Sequence, residues 1–196
     1  MSSVHVLAAQ ALRLNRTAGA PPIPALYFFT DPERTPDPMA IARRLPRGTA
    51  VVYRHFGAKN RLAVARRLAG VARTRGLVLL IGADPDLACQ VGAGVHWPER
   101  LAPAERGDAP LVTVAAHSRE AAMRAGAIGD ACILSPVFPT RSAAGRKPLG
   151  LFAASQIARA APRPIIALGG VTAHTARLLS GRGFAGVAAV DAFLEA

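Results

Sequence analysis

The chain has 196 residues, 51% of them hydrophobic, and a formal net charge of +12 carried almost wholly by arginine. That length suits one domain with a real core, and no run approaches the ~18 uninterrupted apolar residues of a membrane helix. Cys89 and Cys132, the only cysteines, stand apart from any CxxC pair, which argues against a zinc site or a disulfide scaffold and fits a reducing cytoplasm.

Residues 1–24 read as an N-terminal extension: a short helical pattern, VHVLAAQALRL at 4–14, then the breaker run GAPPIP. The helical stretch lacks the basic flank and cleavage site of a signal peptide. From residue 25 onward, eight short apolar runs recur between turn signals. They are Ala25–Phe29, Ala50–Arg54, Leu77–Ile81, Gly94–Trp97, Leu111–Ala115, Ala131–Leu134, Pro164–Leu168 and Gly186–Val190. Segments of helical character separate most of them. Ala58–Arg75 sets Leu62, Ala65, Leu68, Ala69 and Val71 against an arginine-rich face. Ser118 and Thr172 are N-caps, and Gly150–Ala161 ends at Pro162. Residues 98–110, broken by Pro and Gly, predict an irregular connection, and the chain ends as a last helix begins at Asp191.

Continuously apolar strands alternating with helices imply a parallel sheet covered on both faces. A count of eight favours closure into a single compact (β/α)8 TIM barrel over residues 25–196, with an open doubly wound sheet as the rival. The arginines are spread along the chain and aromatic residues are few. This argues against specific nucleic-acid binding and for attraction of small anions.

In a barrel, chemistry sits where strands end and βα loops begin. Strand seven ends in Leu168-Gly169-Gly170-Val171-Thr172 and strand eight in Val190-Asp191. Both run into helix starts, the recurrent phosphate position of this fold. Strand six enters a long loop, Ser135–Gly150, that carries Thr140, Arg141, Ser142, Arg146 and Lys147 and predicts an anion lid. Strand five delivers His117, which can take and give a proton near neutrality.

The segments LYFFTD (26–31), AVVYRHFGAKN (50–60), DLACQVGAGVHWPE (86–99), VAAHSREAAMRAGAIGDACILSPVFPTRSAAGRKPLGL (114–151), IIALGGVT (165–172) and GFAGVAAVDAF (183–193) resemble, in order, the thiamine phosphate synthase/TenI superfamily. The resemblance implies a cytoplasmic barrel enzyme of thiamine biosynthesis that binds a phosphorylated thiazole. Two activities are known there. The synthase joins hydroxymethylpyrimidine diphosphate to thiazole phosphate with Mg²⁺ and releases pyrophosphate. The TenI-type tautomerase moves a proton on thiazole carboxylate phosphate without metal. A non-catalytic TenI-like regulatory or binding protein is also within the family's range. Nothing in the motifs specifies an oligomeric state, and a homo-oligomer is compatible with them.

On this resemblance, Thr140-Arg141-Ser142, Gly169-Gly170 and Val190-Asp191 match the thiazole-phosphate half, except that a serine is usual where Asp191 stands. A carboxylate there competes with phosphate. The pyrimidine-diphosphate half departs. Of the family's QLREK pattern only Arg54 remains in Val52-Tyr53-Arg54-His55-Phe56. The strand-three Asn-Asp falls on Gly82-Ala83, the second metal aspartate near Glu99-Arg100, the strand-five serine on Ala115 and the lysine after the Thr-Arg-Ser loop on Ala143. Asp84 is expected to cap the following helix. Mg²⁺ needs carboxylate oxygens beside the phosphates, so the expectation is a metal-independent tautomerase. Arg54, Arg141 and the glycine pair would hold the ligand while His117 moves the proton. Mg²⁺ enters only if the synthase alternative holds.

Overall fold

The computed structural model describes residues 3–140 and 146–194. Eight parallel strands close into a barrel in sequence order: β1 Leu26–Phe29, β2 Ala50–Tyr53, β3 Val78–Gly82, β4 Gly94–Trp97, β5 Val112–Ala116, β6 Ala131–Leu134, β7 Ile165–Ala167 and β8 Phe184–Ala189. β8 pairs with β1 through Tyr27–Ala188 and completes the ring. The closed barrel is the predicted one, and the open sheet is excluded.

Side chains alternate across each strand, so each barrel wall has two faces. One set, including Phe28, Val51, Leu79, Val95, Val114 and Leu134, packs under the helices. The other, including Tyr27, Phe29, Val52, Leu80, Ile133 and Ile166, fills the barrel interior. His96 and Thr113 register with Ala131 on the interior set, and His96 Nδ1 lies 2.9 Å from Thr113 Oγ1. Burial pushes the His96 imidazole down to about 3, with the Arg54 charge adding to the shift.

Among the described residues, seven helices surround the barrel: α1 Ser3–Thr17, α2 Pro38–Ala42, α3 Arg61–Arg75, α4 Pro85–Val91, α5 Arg119–Ile128, α6 Leu151–Ala160 and α7 Ala173–Arg177. Asp37, Asp84, Ser118 and Thr172 cap α2, α4, α5 and α7 by accepting backbone N–H bonds. The cap of α7 is where the sequence placed it, but the helix stops after one turn and continues as turns to residue 183. α2 has no clear sequence signal, because five residues are too few to show a period. Residues 98–110 are irregular, as expected, apart from a 3₁₀ turn at Glu99–Leu101.

The N-terminal segment is part of this architecture. Val4, Leu7, Ala11 and Leu14, spaced as one helical stripe, are buried in the main core. They pack α1 onto β8 and α7. Among the described residues, the 3₁₀ turn Asp191–Phe193 follows β8, and α1 lies against the β8 wall. Among the described residues, no helix is long and apolar enough to cross a membrane.

Candidate active site

The loops after β1, β2, β5, β6, β7 and β8 converge at the carboxyl end of the barrel on two adjoining cavities of about 260 and 290 Å³. The first lies between the β7 and β8 loops and is lined by Gly169, Gly170, Thr172, Val190, Asp191, Thr140 and Arg34. The second is the barrel mouth proper, lined by Arg54, His117, Ser135, Asp31 and Arg146. Arg34, Thr140, Leu168, Gly169 and Val190 line both, so a ligand with an anionic tail and a planar ring has continuous space.

The glycine pair is demanded by the backbone. Gly169 and Gly170 have φ of 92° and 64°, a region that costs side-chain-bearing residues energy. A Cβ on Gly169 would stand 2.7 Å from Pro136 Cβ, and one on Gly170 2.7 Å from Phe138 Cβ. The β6 loop presses this closely because Val137 and Phe138 donate to the carbonyls of Leu168 and Gly169 at 2.9 and 3.0 Å. The same loop is pinned at its far end, where Leu149 donates to Pro136 O and Gly150 to Val137 O. The close packing leaves bare backbone as the cavity wall at residues 169 and 170.

His117 follows β5 and is held at three points. Its backbone N–H donates to Glu99 Oε2 at 2.9 Å. Its ring Nδ1 lies 2.7 Å from the Ser135 carbonyl oxygen and 3.2 Å from Ser135 Oγ. A carbonyl only accepts, so Nδ1 carries the hydrogen and Nε2 keeps its lone pair. In the neutral ring the lone pair is then on Nε2.

The electrostatics of the mouth are arginine-led. Arg54 donates from Nε to Thr30 O at 3.0 Å and lies over the Phe29 ring at 5.1 Å. Burial pulls its guanidinium below the usual value and Asp31 opposes this, but an arginine stays charged. Arg34 donates from Nη2 to Asp31 Oδ2 at 2.8 Å and from Nη1 to Asp191 Oδ1 at 3.0 Å. Its hydrogen bond holds the Asp31 carboxyl down at about 2, against the opposing effect of burial. Among the described lining residues, three guanidiniums stand against two carboxylates, one net positive charge.

The residues expected from the sequence thus fall into two groups. His117, Arg54, Thr140, Gly169, Gly170, Val190 and Asp191 meet at the mouth. Arg141 and Ser142 lie outside the described residues. The Asp191 carboxylate, expected to compete for phosphate, is engaged by Arg34. Asp31 and Arg34 were not among the expected site residues. Their signal was available, since a carboxylate directly after a barrel strand, with an arginine three residues on, stands where this fold places function.

The donor set at the β3 end does not fit a divalent cation. Ala83 offers no side-chain oxygen. Asp84 Oδ1 caps α4 through the Leu87 N–H at 2.9 Å, as expected, and Oδ2 binds Arg61 Nη1 at 2.7 Å. Arg61 Nη2 also donates to the Gly82 carbonyl at 2.6 Å, and Phe56 packs against Gly82 and under Arg61. Glu99 is committed to the His117 N–H, with Arg124 3.7 Å from its other oxygen. Among the described residues, no three His, Cys, Asp or Glu side chains cluster as metal ligands do. The carboxylate nearest this strand end, Asp84, is thus taken up by a helix cap and a guanidinium.

A family model described as thiamine monophosphate synthase matches residues 26–193. A putative thiamine-phosphate synthase 2 from Aquifex aeolicus is 30% identical over 88% of this chain and 99% of its own length. A thiamine-phosphate synthase from Chlorobium luteolum is 32% identical, covering 90% of this chain and 88% of its own. In fold, the chain is similar to thiamine phosphate pyrophosphorylase from Pyrococcus furiosus, with a TM-score of 0.76 at 23% identity over 95% of this chain and 90% of that one. The chain belongs to the thiamine monophosphate synthase/TenI family.

Proposed function

We propose that this protein binds a phosphorylated thiazole at the barrel mouth and moves a proton on it without a divalent ion, as a TenI-like tautomerase does. In this reading the phosphate rests between the β7 and β8 loops, against the backbone of Gly169 and Gly170 and beside Thr140. Arg141 and Ser142 are proposed to complete that grip from the β6 loop. The ring and its carboxylate occupy the mouth, with Arg54 and Arg146 as counter-charges. His117 Nε2 takes a proton from one ring carbon, and the imidazolium returns it to another. No group leaves, so no charge needs to be neutralised beyond the ligand's own.

The observation that carries this reading is the His117 ring. Its Nδ1 is tied to the Ser135 carbonyl at 2.7 Å, which leaves Nε2 as the basic atom of a ring that lines the mouth. The Arg61–Asp84 pair argues the same way, because it occupies the carboxylate next to Ala83, where the resemblance would place a metal aspartate. Replacing His117 by Asn tests it. Turnover of thiazole carboxylate phosphate, followed by NMR, is expected to fall by at least about a hundredfold. The dissociation constant is expected to stay within about threefold. Full turnover in the variant would remove the mechanism.

The second reading is thiamine-phosphate synthase, and the names of the relatives favour it. It requires both substrates to bind, and pyrophosphate to leave against Arg54 and whatever Arg61 can lend. Pyrophosphate release on mixing the pyrimidine diphosphate and thiazole phosphate with Mg²⁺ would select it.

A further inference from the structure

We infer that Arg34 is the anion-gripping side chain of the β7–β8 cavity, and that Asp191 is an internal anion that occupies it until a phosphate group takes its place. The inference rests on the reading that this cavity accepts a phosphate.

Arg34 is positioned by a closed local loop. Thr35 N–H donates to Asp31 O at 2.8 Å, and the Asp31 N–H donates to Thr35 Oγ1 at 2.6 Å. Asp31 Oδ1 also accepts the N–H groups of Glu33 and Arg34 at 3.2 and 3.1 Å. The loop is fixed before any ligand arrives, so the guanidinium is aimed in advance.

The two carboxylates on Arg34 are not equivalent. Asp31 is 22% exposed and embedded in the loop's own hydrogen bonds, whereas Asp191 is 49% exposed and holds Arg34 through a single bond. Releasing Asp31 would strand a carboxylate among N–H groups. Releasing Asp191 returns a carboxylate to water at low cost. A guanidinium has five N–H donors, and these carboxylates take two of them. A phosphate entering beside Gly169 and Gly170 can therefore displace Asp191 while Asp31 keeps Arg34 in register. The carboxylate that a phosphate site would not be expected to carry then has a use: it keeps the guanidinium in the cavity in the absence of ligand, while competing with any anion that replaces it.

The test is titration with inorganic phosphate and with a thiazole phosphate ester. It uses the wild-type chain, Asp191→Asn, Arg34→Gln and the double variant, each checked for a native thermal transition. Binding is read by calorimetry and by the amide NMR shifts of Gly169 and Gly170. Removing the internal anion is expected to tighten both ligands about three- to fivefold, the scale of one ion pair at a half-exposed site. Arg34→Gln is expected to weaken both about tenfold, and the double variant to match Arg34→Gln. If Asp191→Asn binds no tighter than wild type, or Arg34→Gln no weaker, while the Gly169 and Gly170 signals still shift, the exchange is wrong and the phosphate cavity stands. If those signals move in no variant, the phosphate reading itself fails, and the exchange with it.

Discussion

Glu99 separates two accounts of the mouth, because a carboxylate after β4 is either a metal ligand or an anchor for His117. The structure gives it one strong contact, Oε2 accepting the His117 N–H at 2.9 Å, and a looser approach to Arg124 at 3.7 Å. A charge-assisted bond of this kind contributes roughly 1.5–3 kcal/mol, and the 29% exposure of the side chain places it near the lower end, about 1.5 kcal/mol. Glu99→Ala strands the N–H and should lower the melting temperature by about 3–6 °C for a chain of this size. Glu99→Gln keeps an acceptor oxygen without the charge and should cost about half as much. Turnover should follow the same order, because the anchor sets where the His117 ring begins. The assays are a thermal melt, turnover of thiazole carboxylate phosphate in EDTA, and Mn²⁺ binding by electron paramagnetic resonance. Glutamine as damaging to turnover as alanine, together with Mn²⁺ binding in wild type that both variants lose, would show that Glu99 is a ligand and refute the anchoring argument.

Leu7→Ala tests whether α1 is integral to the barrel. Leu7 is 1% exposed against β8, so the substitution should destabilise by about 2–5 kcal/mol in a denaturant titration, where a loosely attached segment would give almost none. His96 predicts acid sensitivity. Its folded value of about 3 lies below the ordinary 6.5, so the unfolded chain takes up a proton that the folded one refuses. Stability is then full above about pH 6.5 and declines as pH falls towards 3, with a contribution of about 1.4 kcal/mol per pH unit from this group. Urea midpoints at pH 7 and 5 for wild type and His96→Gln measure it, and an unchanged slope in the variant would contradict the assignment. Arg34→Gln removes the group that holds Asp31 near 2. The Asp31 carboxyl should then titrate closer to its usual value in an NMR pH series.

The barrel was legible because its strands are short, apolar on both faces and evenly spaced, as a closed parallel sheet requires. Ser118, Thr172 and Asp84 were legible as caps for a similar reason, since each precedes a helical pattern at the spacing a cap needs. Other features depended on contacts that sequence distance hides. The stripe Val4, Leu7, Ala11 and Leu14 shows that α1 is amphipathic, but only the fold shows that β8 receives it. The Arg34–Asp191 pair joins residues 157 apart, and the Arg61–Asp84 pair joins residues 23 apart. Neither has a periodic signature. Asp191 alone looked like an obstacle to phosphate. Beside Arg34 it is one half of an ion pair.

Dependence on magnesium most directly tests the proposal that the mouth works on one phosphorylated ring without a divalent cation. Turnover of thiazole carboxylate phosphate should be the same in EDTA and in millimolar Mg²⁺, and the pyrimidine diphosphate with thiazole phosphate should release no pyrophosphate in either. Pyrophosphate release that appears with Mg²⁺ and vanishes in EDTA would contradict the account.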